Sequence, residues 1–209
     1  MTSRLCTQAR RIGNGLLLVL VAACAAAPVP YEQQIASFRI EKDAAFKADS
    51  DSPIPESARA TFQGLQYFDI DKTYRVPAAL VESEMSTLVI EMDTTDGRRE
   101  RMRVIGKLEF TLGGERRVLT AFLPESAANR ERLFVPFRDT TNRQETYGGG
   151  RYLDLPRTST GLYDLDFNRA YNPFCVYDPE YVCPLPPREN TLDVPIRAGE
   201  KMPAGKTSS

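Results

Sequence analysis

The sequence has neither histidine nor tryptophan among its 209 residues. Without an imidazole there is no Ser-His-Asp or Cys-His machinery and no histidine to hold a metal, so any acid–base chemistry would fall to carboxylates and tyrosines. No apolar run reaches the roughly 20 residues that a membrane-spanning helix needs, which excludes a permanent transmembrane helix. Basic residues form no block and are matched by acidic ones, 27 against 28. Phosphate contacts could not dominate binding on such a surface, and nucleic acid is not an expected partner. Cysteine is scarce, with four residues, and no internal repeat is visible.

The N-terminus carries Arg4, Arg10 and Arg11 with no acidic residue, followed by the apolar run Leu16 to Val21. This is the order of charge and hydrophobicity in a secretory signal peptide. The run ends in Val21-Ala22-Ala23-Cys24, which resembles the lipobox of bacterial lipoproteins. The resemblance implies cleavage after residue 23, lipidation of Cys24 with diacylglycerol and palmitate-type acyl chains, and a membrane anchor in the cell envelope. Ala25 stands where an aspartate would retain such a protein at the inner membrane. By that sorting pattern the expected place is the periplasmic face of the outer membrane. Loss of the three arginines leaves the mature part mildly acidic.

Residues 24–30 read as a lipidated tether, 31–200 as one globular domain, and 201–209 as a flexible tail. Ile35, Phe38, Ala45 and Phe46 recur at helical spacing among charges, which predicts an amphipathic helix over Tyr31–Ala48, ended by Ser50-Asp51-Ser52-Pro53. A second short helix is expected from Glu56, carrying Ala58 and Phe62 inward. After Tyr74 the pattern changes to strands: 87–92 and 101–104 joined at Asp96-Gly97, 108–112 and 118–122 joined at Gly113-Gly114, then 133–137, 151–155, 162–167 and 192–196. Pro136 argues for an edge strand or a bulge. The expected class is mainly β (α+β), an antiparallel sheet forming a small barrel or a sandwich, with one or two N-terminal helices.

Two segments concentrate polar and glycine residues. The first runs Phe134-Val135-Pro136-Phe137-Arg138-Asp139 and Glu145-Thr146-Tyr147-Gly148-Gly149-Gly150-Arg151-Tyr152; its glycines suit a tight bend better than a phosphate cradle, since no nucleotide-loop spacing is present. The second runs Asp166-Phe167-Asn168-Arg169-Ala170-Tyr171-Asn172-Pro173. Together they supply Glu145, Tyr147, Arg151, Asp166, Asn168, Arg169, Tyr171 and Asn172 as a candidate pocket, or as a hydrogen-bond network that holds irregular backbone. Cys175 and Cys183 are expected to form a disulfide in an oxidising compartment, with free buried thiols as the alternative; a metal would need two further ligands, so none is expected. The C-x-x-C spacing of a thioredoxin-like redox site is absent.

These two segments, with Cys183-Pro184-Leu185-Pro186-Pro187, Ser52-Pro53-Ile54-Pro55 and Gly64-Leu65-Gln66-Tyr67-Phe68-Asp69-Ile70, resemble the bacterial domain of unknown function 1684 family. One departure is Asn142-Arg143-Gln144, where similar sequences have a glycine before Glu-Thr-Tyr, so the local turn should differ. The resemblance implies no particular activity, cofactor or catalytic residue. Two functional readings stand: a non-enzymatic binding or structural module whose partner is another envelope protein, or a small-ligand receptor or hydrolase-like enzyme. In the latter Glu145 would serve as acid or base, Arg151 and Arg169 would clamp an anion, and Tyr147 and Tyr171 would orient it. Convergence of these side chains on one cavity discriminates between them.

Overall fold

The computed structural model describes residues 27–82, 88–126, 131–203 and 205–206. The signal segment and Cys24 lie outside these residues. An 18-residue helix α1 (Tyr31–Ala48) and a single-turn helix α2 (Glu56–Arg59) precede seven strands: β1 (Arg75–Glu82), β2 (Val89–Asp93), β3 (Arg99–Leu112), β4 (Glu115–Pro124), β5 (Arg132–Phe137), β6 (Arg151–Pro156) and β7 (Leu162–Asp166). Every strand pairing is antiparallel, in the order β6-β5-β4-β3-β1-β7, with β2 added to β3. The sheet curls into a nearly closed barrel, which decides between the barrel and the sandwich.

Strand β3 is long because it serves two neighbours along one edge. Its first half pairs with β2 and its second half with β1, while its other edge runs along β4. The register shifts between Val104 and Gly106, where one neighbour gives way to the next. A Cβ on Gly106 would sit 2.4 Å from the Val81 carbonyl oxygen, so only glycine lets β1 approach. Alternate residues fill the barrel: Leu108, Phe110 and Leu112 from β3, Leu119 and Ala121 from β4, Leu133, Val135 and Phe137 from β5, Leu153 and Leu155 from β6, and Leu165 from β7. A smaller cluster of Phe46, Ile54, Leu65, Val176 and Tyr177 joins α1 to the loops.

Three expectations are corrected. Strand β5 is internal, lying between β4 and β6; Pro136 instead splits the β4–β5 ladder, whose register pair is Phe122 with Phe134. At the next position the Asn190 side chain fills the split, accepting from Thr120 N (2.8 Å) and donating to the carbonyls of Thr120 (2.9 Å) and Pro136 (2.7 Å). Residues 192–196 are not a strand. Leu192 and Ile196 are buried, yet the backbone N–H of Leu192 goes to the Arg138 carbonyl and that of Ile196 to the Asp139 carboxylate, and Pro195 has none to give. Ala58 is exposed, because α2 ends after a single turn, whereas Phe62 packs against the second cluster. Hydrogen bonding continues to Lys201 and Met202, whose N–H groups reach the Gln66 and Glu145 carbonyls.

Candidate functional site

The barrel wall has an opening between β6 and β7. The two strands are consecutive, joined by residues 157–161, but make no ladder with each other. At the far end Tyr152 and Tyr171 exchange both backbone hydrogen bonds, at 2.9 and 3.0 Å. Between the connecting loop and this bridge, a 3-10 turn at Phe167–Arg169 breaks the line of β7. Backbone groups alternate in direction along an antiparallel strand. Since Tyr152 faces Tyr171, the N–H and C=O of Asp154 face the opening as well. On the other side Leu80 N bonds Gly161 O, so by the same alternation the backbone groups of Asp164 and Asp166 point away from β1, into the opening.

Helix α1 roofs this gap. Tyr31, Gln34, Phe38, Lys42 and Phe46 share one helix face and line a cavity of 570 Å³, with Leu153 to Pro156 of β6, Asp164 and Asp166 of β7, and Arg75, Arg132, Arg169, Tyr171 and Phe174 as the remaining walls. The roof is fastened at two points. The Tyr31 hydroxyl donates to Asp166 Oδ1 (2.9 Å), and Lys42 Nζ meets the buried Glu200 Oε1 (2.6 Å). Glu200 in turn accepts from Asn172 N (2.8 Å) and the Tyr177 hydroxyl (3.0 Å).

Most of the cavity's charges are internally paired. Arg75 is bidentate with Asp164 and lies over the Tyr31 ring; Arg169 is 3.5 Å from Asp166 and lies over Phe38; Lys42 lies over Tyr171 as well as pairing with Glu200. Arg132 differs, making no ion pair with a described carboxylate. It projects from β5 diagonally across from Asp154 on β6, whose direct partner is Phe134. Asp154 is exposed and lines the cavity. Its surroundings push its carboxyl up from the ordinary range through desolvation, against the opposing pull of the Tyr171 hydroxyl (2.9 Å), Arg132 and Lys42. Burial, and then Asp154, hold Tyr171 well above the ordinary phenol range.

Of the eight residues singled out from sequence, Asp166, Arg169 and Tyr171 line this cavity. The others serve elsewhere. Asn168 is fully buried behind the wall, donating to the Tyr31 hydroxyl (2.8 Å) and exchanging bonds with the Asp71 backbone. Asn172 binds Lys201 O and, through its backbone, Glu200. Arg151 is fully buried inside the barrel, paired with Asp139 (2.9 Å) and donating to the carbonyls of Ile196, Ala198 and Glu200. Glu145 pairs with Arg197 near the surface (2.9 Å), and Tyr147 packs on the second cluster. The acid–base and clamp constellation is therefore not assembled: Glu145 and Arg151 stand apart from Arg169 and Tyr171. Sequence reasoning missed Tyr31, Phe38, Lys42, Arg75, Arg132, Asp154 and Asp164. The spacing of Tyr31, Phe38 and Lys42 on one helix face was the available signal; the outward strand residues carried none until the strands were placed side by side.

Cys175 and Cys183 are adjacent free thiols. The Cys175 N–H donates to Cys183 Sγ (3.2 Å), and the thiols hydrogen-bond each other, which lowers Cys175 and raises Cys183 from the ordinary thiol range. Cys183 is held from behind by its N–H to Thr95 Oγ1 (3.1 Å) and by its carbonyl, which accepts from Thr95 N (3.0 Å). Among the described residues no group of three or more acidic or cysteine side chains is placed to hold a metal, and no helix is long and apolar enough to cross a membrane.

No curated protein matches the chain. Among solved structures it is similar to the solution structure of an uncharacterised protein of Haloarcula marismortui, with 42% identity, a TM-score of 0.65, and coverage of 84% of this chain and 96% of that one. A family model described as a protein of unknown function, DUF1684, matches residues 60–201. The matched span starts after α1 and α2, takes in the whole barrel with the residues that seal its interior, and places the chain in the DUF1684 family.

Proposed function

We propose that this protein is a lipid-anchored envelope protein whose domain binds a small organic molecule in the opening between β6 and β7. The observation that carries the binding reading is the cavity itself. At 570 Å³ it falls within the ordinary range of small-ligand sites, about 300–1,000 Å³, and it lies where two strand edges leave main-chain donors and acceptors without a strand partner. A ligand inserted beneath the helix can hydrogen-bond these groups in place of water. The roof is fastened by side-chain contacts at Tyr31 and Lys42, so the space stays open without help from the ligand. The anchor reading is supported by the basic start, the apolar run and Val21-Ala22-Ala23-Cys24.

The binding test is native mass spectrometry on the domain beginning at residue 25, purified without denaturation, beside a Gln34→Trp variant whose indole plugs the cavity mouth. A bound small molecule at a stoichiometric level in the parent and its loss from the plugged variant are expected. A parent that carries nothing and shows no ligand-dependent rise in melting temperature against a metabolite panel overturns the reading. For the anchor, Cys24→Ser should abolish incorporation of radiolabelled palmitate and release the protein from membranes; unchanged labelling refutes lipidation at that residue.

A further inference from the structure

We infer that the molecule accepted by this cavity is a short peptide in extended conformation, inserted between β6 and β7 as a further strand beneath α1. This rests on the binding reading above and narrows it to a ligand class.

Two prolines fix which way the strand edges face. Pro136 on β5 stands opposite Tyr152, and Pro77 on β1 stands opposite Asp164. A proline has no N–H to exchange, so these are the pairs of each ladder that are not hydrogen-bonded, and the backbone groups of Tyr152 and Asp164 turn away from those neighbours. Asp154 and Asp166, each two residues further on, turn the same way, into the opening. The Tyr152–Tyr171 bridge and the bond from Leu80 N to Gly161 O give the same phase. Among the described residues no backbone hydrogen bond engages the N–H or C=O of Asp154, Asp164 or Asp166 across the opening. Donors and acceptors at strand spacing therefore line both of its sides. A second extended backbone matches both at once, because its own N–H and C=O groups alternate between its two edges. Following the antiparallel pairings round the sheet, β6 and β7 run in opposite directions. The inserted strand is antiparallel to one and parallel to the other.

Length and side-chain direction narrow the peptide further. Between the bridge at Tyr152 and the end of β6 at Pro156 there is room for about three residues, roughly 10 Å of strand. Side chains opposite each other in a ladder share one face of the sheet. The peptide residue beside Asp154 therefore points outward with it, toward Phe38 and Phe174 of the cavity wall. Its two neighbours point into the barrel, where Leu153, Leu155 and Leu165 are already buried, and only small side chains fit. The expected pattern is small, bulky apolar, small. Charge does not enter the selection: Arg75, Arg169, Lys42 and Arg132 stand against Asp164, Asp166, Glu200 and Asp154, so the walls favour neither sign and the neutral main chain is what they can read.

The probe is the tripeptide alanyl-phenylalanyl-alanine, acetylated and amidated at its ends so that it carries no charge, titrated into the 15N-labelled domain. Binding should slow hydrogen exchange at the amides of Asp154, Asp164 and Asp166 by at least about tenfold, because each gains a strand partner. An analogue with an ester in place of the phenylalanine N–H loses one ladder donor and should bind about three- to tenfold more weakly. Isoleucine in both flanking places should abolish binding. Asp154→Pro removes the N–H on the β6 side without touching the β5 ladder, and should weaken the parent peptide by about tenfold or more while the amides of Leu133 and Val135 keep their shifts. The ester analogue tests the same contact on the unaltered protein should that variant not fold. No binding of the tripeptide, binding without protection of those three amides, or equal binding of the ester analogue overturns the peptide assignment. The two levels fail differently. If the tripeptide does not bind but a non-peptide molecule does and is lost in the Gln34→Trp variant, the cavity reading stands and the peptide class falls. If neither the tripeptide nor any molecule of the metabolite panel binds, the cavity reading itself falls.

Discussion

Arg143 is the one non-glycine among the described residues with positive φ, at 68°. It sits in the turn that precedes Thr146, donating its N–H to the Thr146 carbonyl (3.0 Å). Left-handed backbone costs a residue with a Cβ about 1–2 kcal/mol, partly offset by the greater unfolded-state freedom of glycine. Arg143→Gly is therefore expected to stabilise the domain by about 0.5–1 kcal/mol, read as a higher urea midpoint at unchanged slope. The departure from the glycine of similar sequences was legible before the structure; the residue that takes the left-handed conformation was not. Asp154 supports a second prediction. Its carboxyl is raised in the folded state, so its contribution favours folding at low pH and is lost as pH rises through the folded-state value. Asp154→Asn, which keeps an acceptor for the Tyr171 hydroxyl, should be more stable than the parent at pH 7, with the difference closing as pH falls through the carboxylate range. Denaturant melts at both pH values check this, and a constant difference refutes it. Arg132, Lys42 and Tyr171 are the other charged or titratable groups that face the same carboxyl.

Elements were legible where periodicity repeats and illegible where side chains replace a ladder. Helix α1 matches its expected bounds because apolar residues recur on one face and a proline follows. The hairpins at Asp96-Gly97 and Gly113-Gly114 have turns that require positive φ at Gly97, Gly113 and Gly114. By contrast, residues 192–196 alternate like a strand, yet Asp139 and Arg138 take their backbone groups. Nothing local in the sequence announces that, nor the Asn190 carboxamide inserted between β4 and β5. The loop at 175–183 carries a prediction at this scale. Cys183 is fixed to the turn after β2 through Thr95, and Cys175 follows Phe174, which lines the cavity. Treatment with oxidised glutathione should join the two sulfurs, the electrons and protons passing to glutathione. The closed loop should stabilise the domain by about 2–3 kcal/mol in the chain-entropy model. A two-dalton mass loss together with a melting temperature that rises and then reverts with reductant is expected. Cys183→Ser should abolish both changes.

At the scale of the whole molecule, Arg151 is the fastening. It is charged, fully buried, and bonded to Asp139 and to three carbonyls of the C-terminal segment. Removing one member of a buried pair strands the other, at a cost of about 3–5 kcal/mol. Arg151→Met is expected to lose that much in denaturant melts. Removing Asp139 as well, in Arg151→Met with Asp139→Leu, should recover part of the loss, because no lone charge then remains inside; a double variant worse than the sum of its parts would show that the pair is not what couples them. The antiparallel β class could be read from hairpin spacing, with barrel and sandwich left open. The site could not, because its walls come from a helix at the start of the domain, a strand pair in the middle and a turn near the end, and become neighbours only when the sheet curls.

The same fastening sets an order of events. The carbonyls that satisfy Arg151 belong to residues 196, 198 and 200, which follow it by 45, 47 and 49 positions. Until they arrive, a guanidinium occupies the interior with most of its donors empty, and water must stay with it. The barrel can therefore complete itself only after residues 196–200 have joined it. A domain built this way stays loose until that segment arrives and sets when it does.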